Sequence, residues 1–429
     1  MLQTIRMAKG PIKAHISLPG SKSMTYRALL LTALADGVSE ITGMHLSART
    51  RAFIHAMSQL GIVFQLDETS KSCIIAGCNG SLPKKQVTVW CDGLASVIHF
   101  LFAICAASPG VYYFDGGINE RKKSLEKLLN LLRLHGVQFI PSDTTHLPLS
   151  LVGADSLEGG EIILDQRLSS QMISALLMIA PFARSPLIFT LKGMTNLAYI
   201  DMTCAMMADF GVLVHRIHQN QLMVPVPQRY QAKDYVIEPD LSIAVYFFAA
   251  AAVTGGEVTV QSIKRNTSKQ LQIKFLSILE KMGCRIIDAK STLTLKAPNE
   301  LEGIEVSMRD FTDSFLALAA IAPFAKSPTR ISHIDTMKQK EIHYLTIIKT
   351  EFIKLGIHIE TGKDWIKIFP GIPQGKLNLA LDDPHIAMAF SVIGLKITGM
   401  TIDDACMSDL YPDFFKDWHQ MTNSIHTPV

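Results

Sequence analysis

The sequence predicts an α/β protein of two domains, each containing three copies of one repeating unit. Three observations predict this fold class: an internal repeat, regularly spaced glycine and proline breakers, and a series of apolar helices with few charges. Helices that are apolar on every face must be buried, whereas amphipathic helices cover a sheet. Six units with buried helices therefore suggest two domains, each a ring of sheets around a helical core.

The clearest copies of the repeat lie in the middle and later parts of the chain. Residues 175–187 read ALLMIAPFARSPL and residues 317–329 read ALAAIAPFAKSPT, which are identical at nine of thirteen positions. The two segments are 142 residues apart, which is twice 71. Six βαβ-type units of roughly 71 residues account for this offset and for the chain length of 429 residues.

Each unit begins with an apolar helix, here called the inner helix, that is rich in Ala and Leu. The inner helices are predicted to begin near Arg27, Val97, Met172, Val245, Phe315 and Ile386. Each is followed by a turn residue and then by a β-branched stretch such as GGEVTV, as expected where a helix gives way to a strand. These turn residues are Gly37, Gly110, Pro186, Gly255, Pro328 and Gly399.

A second helix, here called the outer helix, is predicted in each of the first five units. It is amphipathic, as in SLEKLLNLLRLHG, and it ends in a glycine followed by an apolar residue. Glycine adopts the left-handed conformation that commonly ends a helix before a strand. The five glycines are Gly61, Gly136, Gly211, Gly283 and Gly356.

Composition limits the classes of function. Hydrophobic residues make up 48% of the chain and charged residues 18%, which predicts a folded protein. A net charge of +3 does not favour nucleic acid or acidic membranes as partners, and seven scattered cysteines indicate neither a zinc site nor a disulfide framework. The N-terminus lacks the apolar core of a signal peptide, and no apolar run reaches membrane-spanning length. We expect a soluble cytoplasmic protein.

The six inner-helix starts correspond to one another, and each carries Ser or Asp at a plausible N-cap position. They are 21–27 (SKSMTYR), 91–97 (CDGLASV), 167–173 (RLSSQMI), 239–245 (PDLSIAV), 309–315 (RDFTDSF) and 381–387 (LDDPHIA). Capping alone is the favoured explanation of the copies at 91–97 and 239–245.

Two of these starts carry more polar groups than capping needs. Ser169-Ser170-Gln171 presents three hydrogen-bonding side chains, and Ser21-Lys22-Ser23 with Arg27 adds two cations. Free N–H groups and the positive end of the helix dipole make such starts suitable for phosphate. If the inner helices of both domains point their N-termini at the gap between the domains, that gap should bind phosphorylated small molecules. The chain has neither a Walker phosphate loop nor a GxGxxG after a strand, which disfavours nucleotides.

The segment LPGSKSMTYRALLLTALADG (18–37) resembles the signature of the 5-enolpyruvylshikimate-3-phosphate (EPSP) synthase family, the 3-phosphoshikimate 1-carboxyvinyltransferases. The resemblance runs along nearly the whole chain, through LSSQMISALLMIAPFA, YIDMT, IEPDLSIAVYFFAAAA, DFTDSFLALAA and KQKEIHYL. It implies an inside-out α/β barrel in each of two domains, with three βαβαββ units per domain (the enolpyruvyl transferase fold). The predicted domains are residues 1–20 plus 238–429, which form a discontinuous domain, and residues 21–237.

The resemblance also implies a reaction of the shikimate pathway, which leads to chorismate and the aromatic amino acids. The 5-hydroxyl of shikimate 3-phosphate adds to C2 of phosphoenolpyruvate while C3 takes a proton, and the tetrahedral adduct then loses phosphate. Neither a metal nor an organic cofactor is implied, the partners are small-molecule substrates, and a monomer is expected. Catalysis would depend on positioning, acid–base groups and cations that hold the anionic substrates.

The same resemblance assigns roles to residues at matching positions. Asp313 would be the base for the attacking hydroxyl, and Lys22 and Glu341 would handle the proton at C3. Capping of the fifth inner helix remains an alternative for Asp313, and a solvated helix charge remains one for Glu341. The predicted substrate-binding residues are Lys22, Ser23, Arg27, Lys123, Ser169, Ser170, Gln171, Tyr199, Asp313, Lys340 and His385.

The positions that would bind phosphoenolpyruvate depart from the family pattern. The family's NAGTAMRP reads DGLASVIH here, so that a glycine, a threonine and an arginine are replaced by Leu94, Ala95 and Ile98. Three further family arginines are replaced: Lys123 stands for the arginine of ERPI, Tyr344 for that of KExxR and His385 for that of DHRMA. In addition, Thr336 replaces the asparagine ahead of KE, and Asp409 replaces a lysine before PD[YF]F. Arg49 stands where the family usually has an acid.

These departures leave three interpretations open. An arginine binds a carboxylate or phosphate through two charge-assisted bonds that Lys or Tyr cannot reproduce. Losing two or three such bonds costs roughly 10³-fold in binding. The chain is therefore a divergent but working carboxyvinyltransferase, a catalytically impaired paralogue that binds a phosphorylated shikimate-like ligand, or a transferase with a different donor or acceptor.

Overall fold

The structure is a computed structural model that describes residues 2–94, 97–165, 168–193, 197–308, 314–334, 339–375, 377–379 and 383–423, the side chains of 339–343 excepted. The chain divides into two compact units. The split unit comprises Met1–Pro19 with Glu238–Val429, and the continuous unit comprises Gly20–Ile237.

The first two strands, both in the split unit, are β1 (Leu2–Ile5) and β2 (Lys13–Ile16). In the continuous unit, the first repeat contains α1 (Lys22–Leu34), β3 (Val38–Thr42), α2 (Ala48–Gln59), β4 (Val63–Asp67) and β5 (Ser72–Ala76). The second contains β6 (Gln86–Trp90), α3 (Ile98–Ala106), β7 (Gly110–Asp115), α4 (Ile118–Arg121), α5 (Glu126–Leu134), β8 (Gln138–Ile140) and β9 (Leu149–Gly153). The third contains β10 (Gly160–Asp165), α6 (Ser170–Ile179), β11 (Leu187–Lys192), α7 (Ala198–Asp209), β12 (His215–His218) and β13 (Gln221–Val224), and β14 (Tyr235–Val236) follows it.

The split unit then resumes with its own repeats. The fourth repeat contains α8 (Leu241–Thr254), β15 (Glu257–Gln261), α9 (Phe275–Lys281), β16 (Arg285–Ala289) and β17 (Thr292–Lys296). The fifth contains β18 (Glu305–Ser307), α10 (Phe315–Ile321), β19 (Thr329–Ser332), α11 (Gln339–Lys354), β20 (Ile359–Thr361) and β21 (Trp365–Ile368). The sixth contains β22 (Leu377–Leu379), α12 (Pro384–Gly394), β23 (Met400–Asp403) and α13 (Phe414–Asn423).

Within the described residues, five sheets share one topology, in which a parallel pair continues into an antiparallel hairpin. Their strand orders are β14-β3-β5-β4, β6-β7-β9-β8, β10-β11-β13-β12, β2-β15-β17-β16 and β18-β19-β21-β20. The sixth sheet is β22-β23-β1, with β22 parallel and β1 antiparallel to β23. Each unit thus holds three described sheets, and the predicted βαβαββ repeat is confirmed.

Three sheets are completed by strands that are distant in sequence. The first repeat takes its leading strand from β14, the last strand of the continuous unit in sequence, which pairs in parallel with β3. The fourth repeat takes its leading strand from β2, which pairs in parallel with β15. The sixth is closed by β1. A parallel leading strand is therefore kept in all six described sheets, and the closing hairpin is kept in the first five repeats, even where the chain has left the unit and returned.

The inner helices α1, α3, α6, α8, α10 and α12 form the core of their units, as predicted from their apolar composition. In α8, every residue from Ile243 to Thr254 is buried. The APF segments of the two clearest repeat copies form the same 3₁₀ turn, at Ala180–Phe182 and Ala322–Phe324. Each unit has a separate cluster of buried apolar side chains.

The outer helices end as predicted. Gly61, Gly136, Gly211, Gly283 and Gly356 all have positive φ, between 72° and 98°. These values lie in the region that glycine adopts without a steric penalty. The sixth repeat also contains a second helix, α13, which the pattern of helix-ending glycines did not predict.

The N-caps agree with the prediction only in part. Ser169, Asp240 and Asp383 each accept a hydrogen bond from a backbone N–H in the first turn of their helix. The Ser21 side chain makes no such bond although it occupies the N-cap position of α1. At the 91–97 start, α3 begins after Val97, and of the two capping candidates, Asp92 and Ser96, the second lies outside the described residues. The Asp92 carboxylate instead accepts from Trp90 Nε1 at 2.8 Å and from the backbone N–H of Gly117.

No helix among the described residues combines the length and the apolar composition needed to cross a membrane.

Candidate functional site

The start of α1 is fixed by a close backbone approach. A Cβ atom on Gly20 would collide with the carbonyl oxygen of Gly43, so only glycine fits there. Ser21 follows, and its carbonyl oxygen accepts from both the N–H and the hydroxyl of Thr25, each at 2.9 Å. Lys22 and Ser23 then lie in the first turn of α1, both half-buried. Two of the predicted binding residues are therefore carried by the N-terminal turn of an inner helix.

One turn further along α1, Arg27 is buried, with only 2% of its surface exposed. Its Nε donates to Thr203 Oγ1 at 2.7 Å, and its Nη2 donates to Ser174 Oγ at 2.8 Å and to the Tyr199 carbonyl at 3.5 Å. Its Nη1 donates to the carbonyl of Ser23 at 2.8 Å. We call these five residues the Arg27 cluster. It joins three helices, α1, α6 and α7.

In the Arg27 cluster, the guanidinium cation is hydrogen-bonded only to uncharged groups. Among the described residues, no carboxylate lies within hydrogen-bonding distance of the guanidinium, whose Cζ lies 5.8 Å from the centroid of the Tyr199 ring. Burial lowers the pKa of Arg27 to about 10, so the side chain is still charged at neutral pH. A buried cation without a carboxylate partner is costly and favours a bound anion.

The start of α6 contributes the second set of predicted residues. Ser169 is the N-cap and accepts from the Met172 N–H at 3.2 Å. Ser170 is buried and Gln171 is half-buried in the first turn. Ser174, one turn after Ser170, reaches Arg27. The structure thus brings Arg27, Ser23 and Tyr199 into one cluster and connects it to the helix that begins with Ser170.

Sequence reasoning missed Thr203 and Ser174. Both occur in segments that carry the family resemblance, YIDMT and LSSQMISALL. Each lies four residues after a predicted binding residue, Tyr199 or Ser170, and therefore on the same helix face. That spacing was the available signal, but only the packing of α6 and α7 against α1 shows that both hydroxyls meet Arg27.

The start of α3 is apolar, with Leu94 and Ile98 at the positions of a glycine and an arginine of the family motif. Leu94 is fully buried and Ile98 is 6% exposed, and both belong to the core of the continuous unit. Arg49, on α2, donates from Nε to the Gly93 carbonyl at 3.2 Å. A cation therefore lies beside the loop that precedes α3, although the arginine of the family motif is absent. Ala95 lies outside the described residues.

Lys123 lies on an exposed segment after α4. Its Nζ is 3.4 Å from Glu120 Oε1. The neighbouring Arg121 forms a two-bond ion pair with Asp115, at 2.9 and 2.8 Å. Burial raises the pKa of Asp115, but the Arg121 hydrogen bond, the Gly116 N–H and the Arg121 charge together lower it below its ordinary value. Arg121 follows Glu120 as the arginine follows the glutamate in ERPI, a match that the assignment to Lys123 overlooked.

In the split unit, the start of α12 is stabilised by Asp383. Its Oδ1 accepts from the His385 N–H at 2.8 Å, and its Oδ2 accepts from the Tyr344 hydroxyl at 2.9 Å. Tyr344, in the position of a family arginine, is 5% exposed. It therefore serves as a buried structural link between α11 and α12. The predicted catalytic Asp313, together with Thr336 and the side chains of Lys340 and Glu341, lies outside the described residues.

The described side chains of His, Cys, Asp and Glu include no group of three or more that could hold a metal ion.

Comparison with known proteins gives a consistent result. A family model described as EPSP synthase (3-phosphoshikimate 1-carboxyvinyltransferase) matches residues 7–418. The 3-phosphoshikimate 1-carboxyvinyltransferase of Nostoc punctiforme is 39% identical over 415 residues, covering 96% of this chain and 97% of that protein. The 3-phosphoshikimate 1-carboxyvinyltransferase 2 of Halalkalibacterium halodurans is 32% identical, covering 97% and 93%, respectively.

Solved structures agree in fold. The EPSP synthase from Acinetobacter baumannii has a TM-score of 0.81 at 20% identity, covering 98% of each chain. The enolpyruvyl transferase NikO from Streptomyces tendae has a TM-score of 0.77 at 14% identity, covering 98% of this chain and 97% of that one. The predicted fold class is thereby confirmed.

Proposed function

The chain belongs to the EPSP synthase family, and we propose that it transfers the enolpyruvyl group of phosphoenolpyruvate to the 5-hydroxyl of shikimate 3-phosphate and releases phosphate. The acceptor hydroxyl loses its proton and forms a C–O bond to C2 of phosphoenolpyruvate, while C3 gains a proton. The tetrahedral adduct then loses the C3 proton and the phosphate, which leaves the enol ether. Proton number and charge balance without a redox partner.

The Arg27 cluster carries this proposal. It places a buried, charged guanidinium among Ser23, Tyr199 and the helix that begins with Ser170, which the family resemblance identifies as substrate-binding residues. Shikimate 3-phosphate has a carboxylate and a phosphate, and such anions suit both the cation and the positive ends of the α1 and α6 helix dipoles. We assign acceptor binding to Lys22, Ser23, Arg27, Ser169, Ser170, Gln171 and Tyr199.

The remaining roles follow from the family pattern. We assign the base on the acceptor hydroxyl to Asp313, and proton transfer at C3 to Lys22 and Glu341. Lys340, Lys123 and His385 would contact the substrates as further cations or hydrogen-bond donors. We further propose that the protein acts in the cytoplasm as a monomer, in the pathway to chorismate.

Turnover is the test of the proposed function. Purified protein is incubated with shikimate 3-phosphate and phosphoenolpyruvate, and phosphate release and the enolpyruvyl product are followed. We expect equal amounts of the two products, and Asp313→Asn should abolish both without weakening acceptor binding strongly. Absence of the enolpyruvyl product with the wild-type protein would refute the proposal.

Two buried side chains favour a second candidate, an impaired paralogue that binds only the acceptor. Ile98 and Tyr344 replace family arginines and are integrated into the core. Thermal shift with each substrate alone separates the candidates. Stabilisation by shikimate 3-phosphate without turnover would favour the paralogue, and stabilisation by neither substrate would favour a transferase with a different acceptor.

A further inference from the structure

We propose that Thr203 and Ser174 are positioning residues, which hold the Arg27 guanidinium so that its less buried edge is presented to the anion of the acceptor. The inference rests on the proposed function, because it takes the anion to be shikimate 3-phosphate. Neither residue is assigned to the substrate by the family pattern described above. Both act through Arg27.

The two edges of the guanidinium have different surroundings. The bonds from Nε to Thr203 Oγ1 and from Nη2 to Ser174 Oγ are fully buried. The bonds from Nη1 to the Ser23 carbonyl and from Nη2 to the Tyr199 carbonyl are only partly buried. The hydroxyls therefore anchor the inner edge, and the outer edge lies beside two residues that are assigned to the acceptor.

A count of N–H groups supports this orientation. A guanidinium has five N–H donors, one on Nε and two on each Nη. Four have acceptors in the cluster, which are Thr203 Oγ1, Ser174 Oγ and the carbonyls of Tyr199 and Ser23. Among the described residues, the fifth, on Nη1, has no acceptor. It belongs to the partly buried edge, where a ligand oxygen could accept it.

The chemistry of the anchors also matters. A carboxylate at either position would orient Arg27 equally well, but it would neutralise the charge and compete with the ligand. Hydroxyls fix the geometry through hydrogen bonds and leave the net charge in place. Thr203 Oγ1 also lies 2.8 Å from Ser174 Oγ and donates to the Tyr199 carbonyl at 2.6 Å. The anchors are therefore held in place by their own hydrogen bonds.

The test compares Thr203→Val with Thr203→Ser. Valine keeps the shape but removes the hydroxyl, whereas serine keeps the hydroxyl. Calorimetry with shikimate 3-phosphate should show a Kd roughly tenfold weaker for Thr203→Val, since a hydrogen bond to a charged group is lost. Thr203→Ser should bind within about threefold of the wild type. Ser174→Ala should resemble Thr203→Val and provides the measurement if Thr203→Val does not fold.

Thr32→Val is the matched control. Thr32 is a fully buried threonine of α1 whose hydroxyl bonds to the carbonyl of Ala28 in its own helix at 2.8 Å. It should lower the melting temperature without changing the Kd, as any purely structural hydroxyl would. Unchanged Kd in folded Thr203→Val or Ser174→Ala, or equal weakening in Thr32→Val, would overturn the inference.

The two proposals can fail separately. Turnover by the wild-type protein tests the proposed function, whereas the ratio of variant to wild-type Kd tests the positioning role. A wild-type protein that binds shikimate 3-phosphate without turnover refutes the transferase and leaves that ratio measurable. In an active enzyme, Thr203→Val should raise KM for shikimate 3-phosphate more than KM for phosphoenolpyruvate, and equal increases would contradict the inference.

Discussion

Arg27 shows at the residue scale why a buried cation indicates function. Burial of a charge without an opposite charge opposes folding, and an apolar side chain of similar length usually fits such a place better. Arg27 nevertheless occupies the centre of three helices and is bonded only to hydroxyls and carbonyls among the described residues. These hydrogen bonds offset part of the cost and a bound anion would offset more of it, so that stability and ligand affinity should separate on mutation.

Arg27→Met should make this separation visible. We expect the free energy of unfolding to stay the same or to rise, because the desolvated charge is removed and Thr203 keeps its bond to the Tyr199 carbonyl. The affinity for shikimate 3-phosphate should fall by roughly 10- to 100-fold. Urea denaturation and calorimetry measure the two quantities.

Arg51→Met is the control for Arg27→Met. Arg51 forms an exposed ion pair with Glu68 at 2.8 Å, and solvent screens a pair of this kind so that it adds little to stability. Neither stability nor affinity should change much. A strong loss of stability in Arg27→Met, with ligand binding retained, would mean that Arg27 is structural.

The cysteines provide a second prediction at this scale. Burial raises the pKa of Cys91, Cys204 and Cys284 to about 12 each, from an ordinary value of 9.0. Because only the thiolate reacts, their alkylation in the native protein at pH 8 should be roughly 10³-fold slower than that of a free thiol. Mass spectrometry after iodoacetamide treatment should find these three unmodified until denaturant is added. Thr69→Cys, at an exposed position, should react at once; equally fast labelling of Cys91 would contradict the prediction.

What the sequence could predict at the residue scale depended on local signal. Arg27 and Tyr199 stand in segments that carry the family resemblance, which predicts both as substrate-binding residues, and the structure places the Arg27 guanidinium 5.8 Å from the centroid of the Tyr199 ring. Thr203 and Ser174 stand in the same segments, one helical turn after Tyr199 and Ser170, but the sequence does not show that they meet Arg27, because a hydroxyl bonds to whichever group the packing of three helices brings near it. Tyr344 shows the same limit: its replacement of an arginine was visible, but its bond to Asp383 was not.

At the element scale, the ends of helices show which structural features the neighbouring residues alone determine. A residue after the last turn needs positive φ, and glycine supplies it at little cost, so that five outer-helix ends could be predicted from glycine alone. Helix starts were less predictable. A carboxylate can cap its own helix or bond elsewhere, and Asp92 bonds to Trp90 and to the Gly117 N–H.

Gly356→Ala should measure the cost of one such ending. Gly356 has φ of +72°, and a Cβ there would meet no atom within 4 Å, so any loss of stability reflects backbone strain alone. We expect a loss of about 1 kcal/mol by urea denaturation, and Gly356→Asn should lose less because Asn tolerates this conformation. Gly371→Ala is the matched control: a Cβ there also meets nothing within 4 Å, and φ is outside the left-handed region. Equal losses at the two positions would argue against the strain.

At the scale of the whole molecule, the repeat was predictable and its closure was not. The period of 71 residues is present in the sequence, but no local pattern says that β1 pairs with β23 or β14 with β3. Pairing between distant strands depends on which edge remains open after the other strands have paired. The beginning of the chain therefore completes a sheet whose other strands come from its last part.

The contact between β1 and α12 allows a test of this closure within the split unit. A Cβ added to Gly394, the last residue of α12, would lie 2.6 Å from Ile5 Cγ2 and 2.9 Å from Ile5 Cβ. Such distances require something to move, and overpacking of this kind costs about 1–3 kcal/mol. Alanine also favours the helix over glycine by up to about 1 kcal/mol. Whether Gly394→Ala raises or lowers the free energy of unfolding therefore depends on whether Ile5 can move aside.

We expect Gly394→Ala alone to destabilise the protein and Ile5→Ala alone to cost about 2–4 kcal/mol, since Ile5 is 2% exposed. In the Ile5→Ala background the contact with Ile5 Cγ2 is removed, whereas the contacts with the residue-5 Cβ at 2.9 Å and with Met400 Sδ at 3.1 Å remain, so that Gly394→Ala should cost less than in the wild type. Urea denaturation of the wild type, the two single variants and the double variant gives the coupling energy.

Ile16→Ala, on β2 of another sheet in the same unit, is the control and should combine with Gly394→Ala additively within about 0.5 kcal/mol. Additivity between Ile5→Ala and Gly394→Ala would show instead that β1 does not pack on α12 in solution.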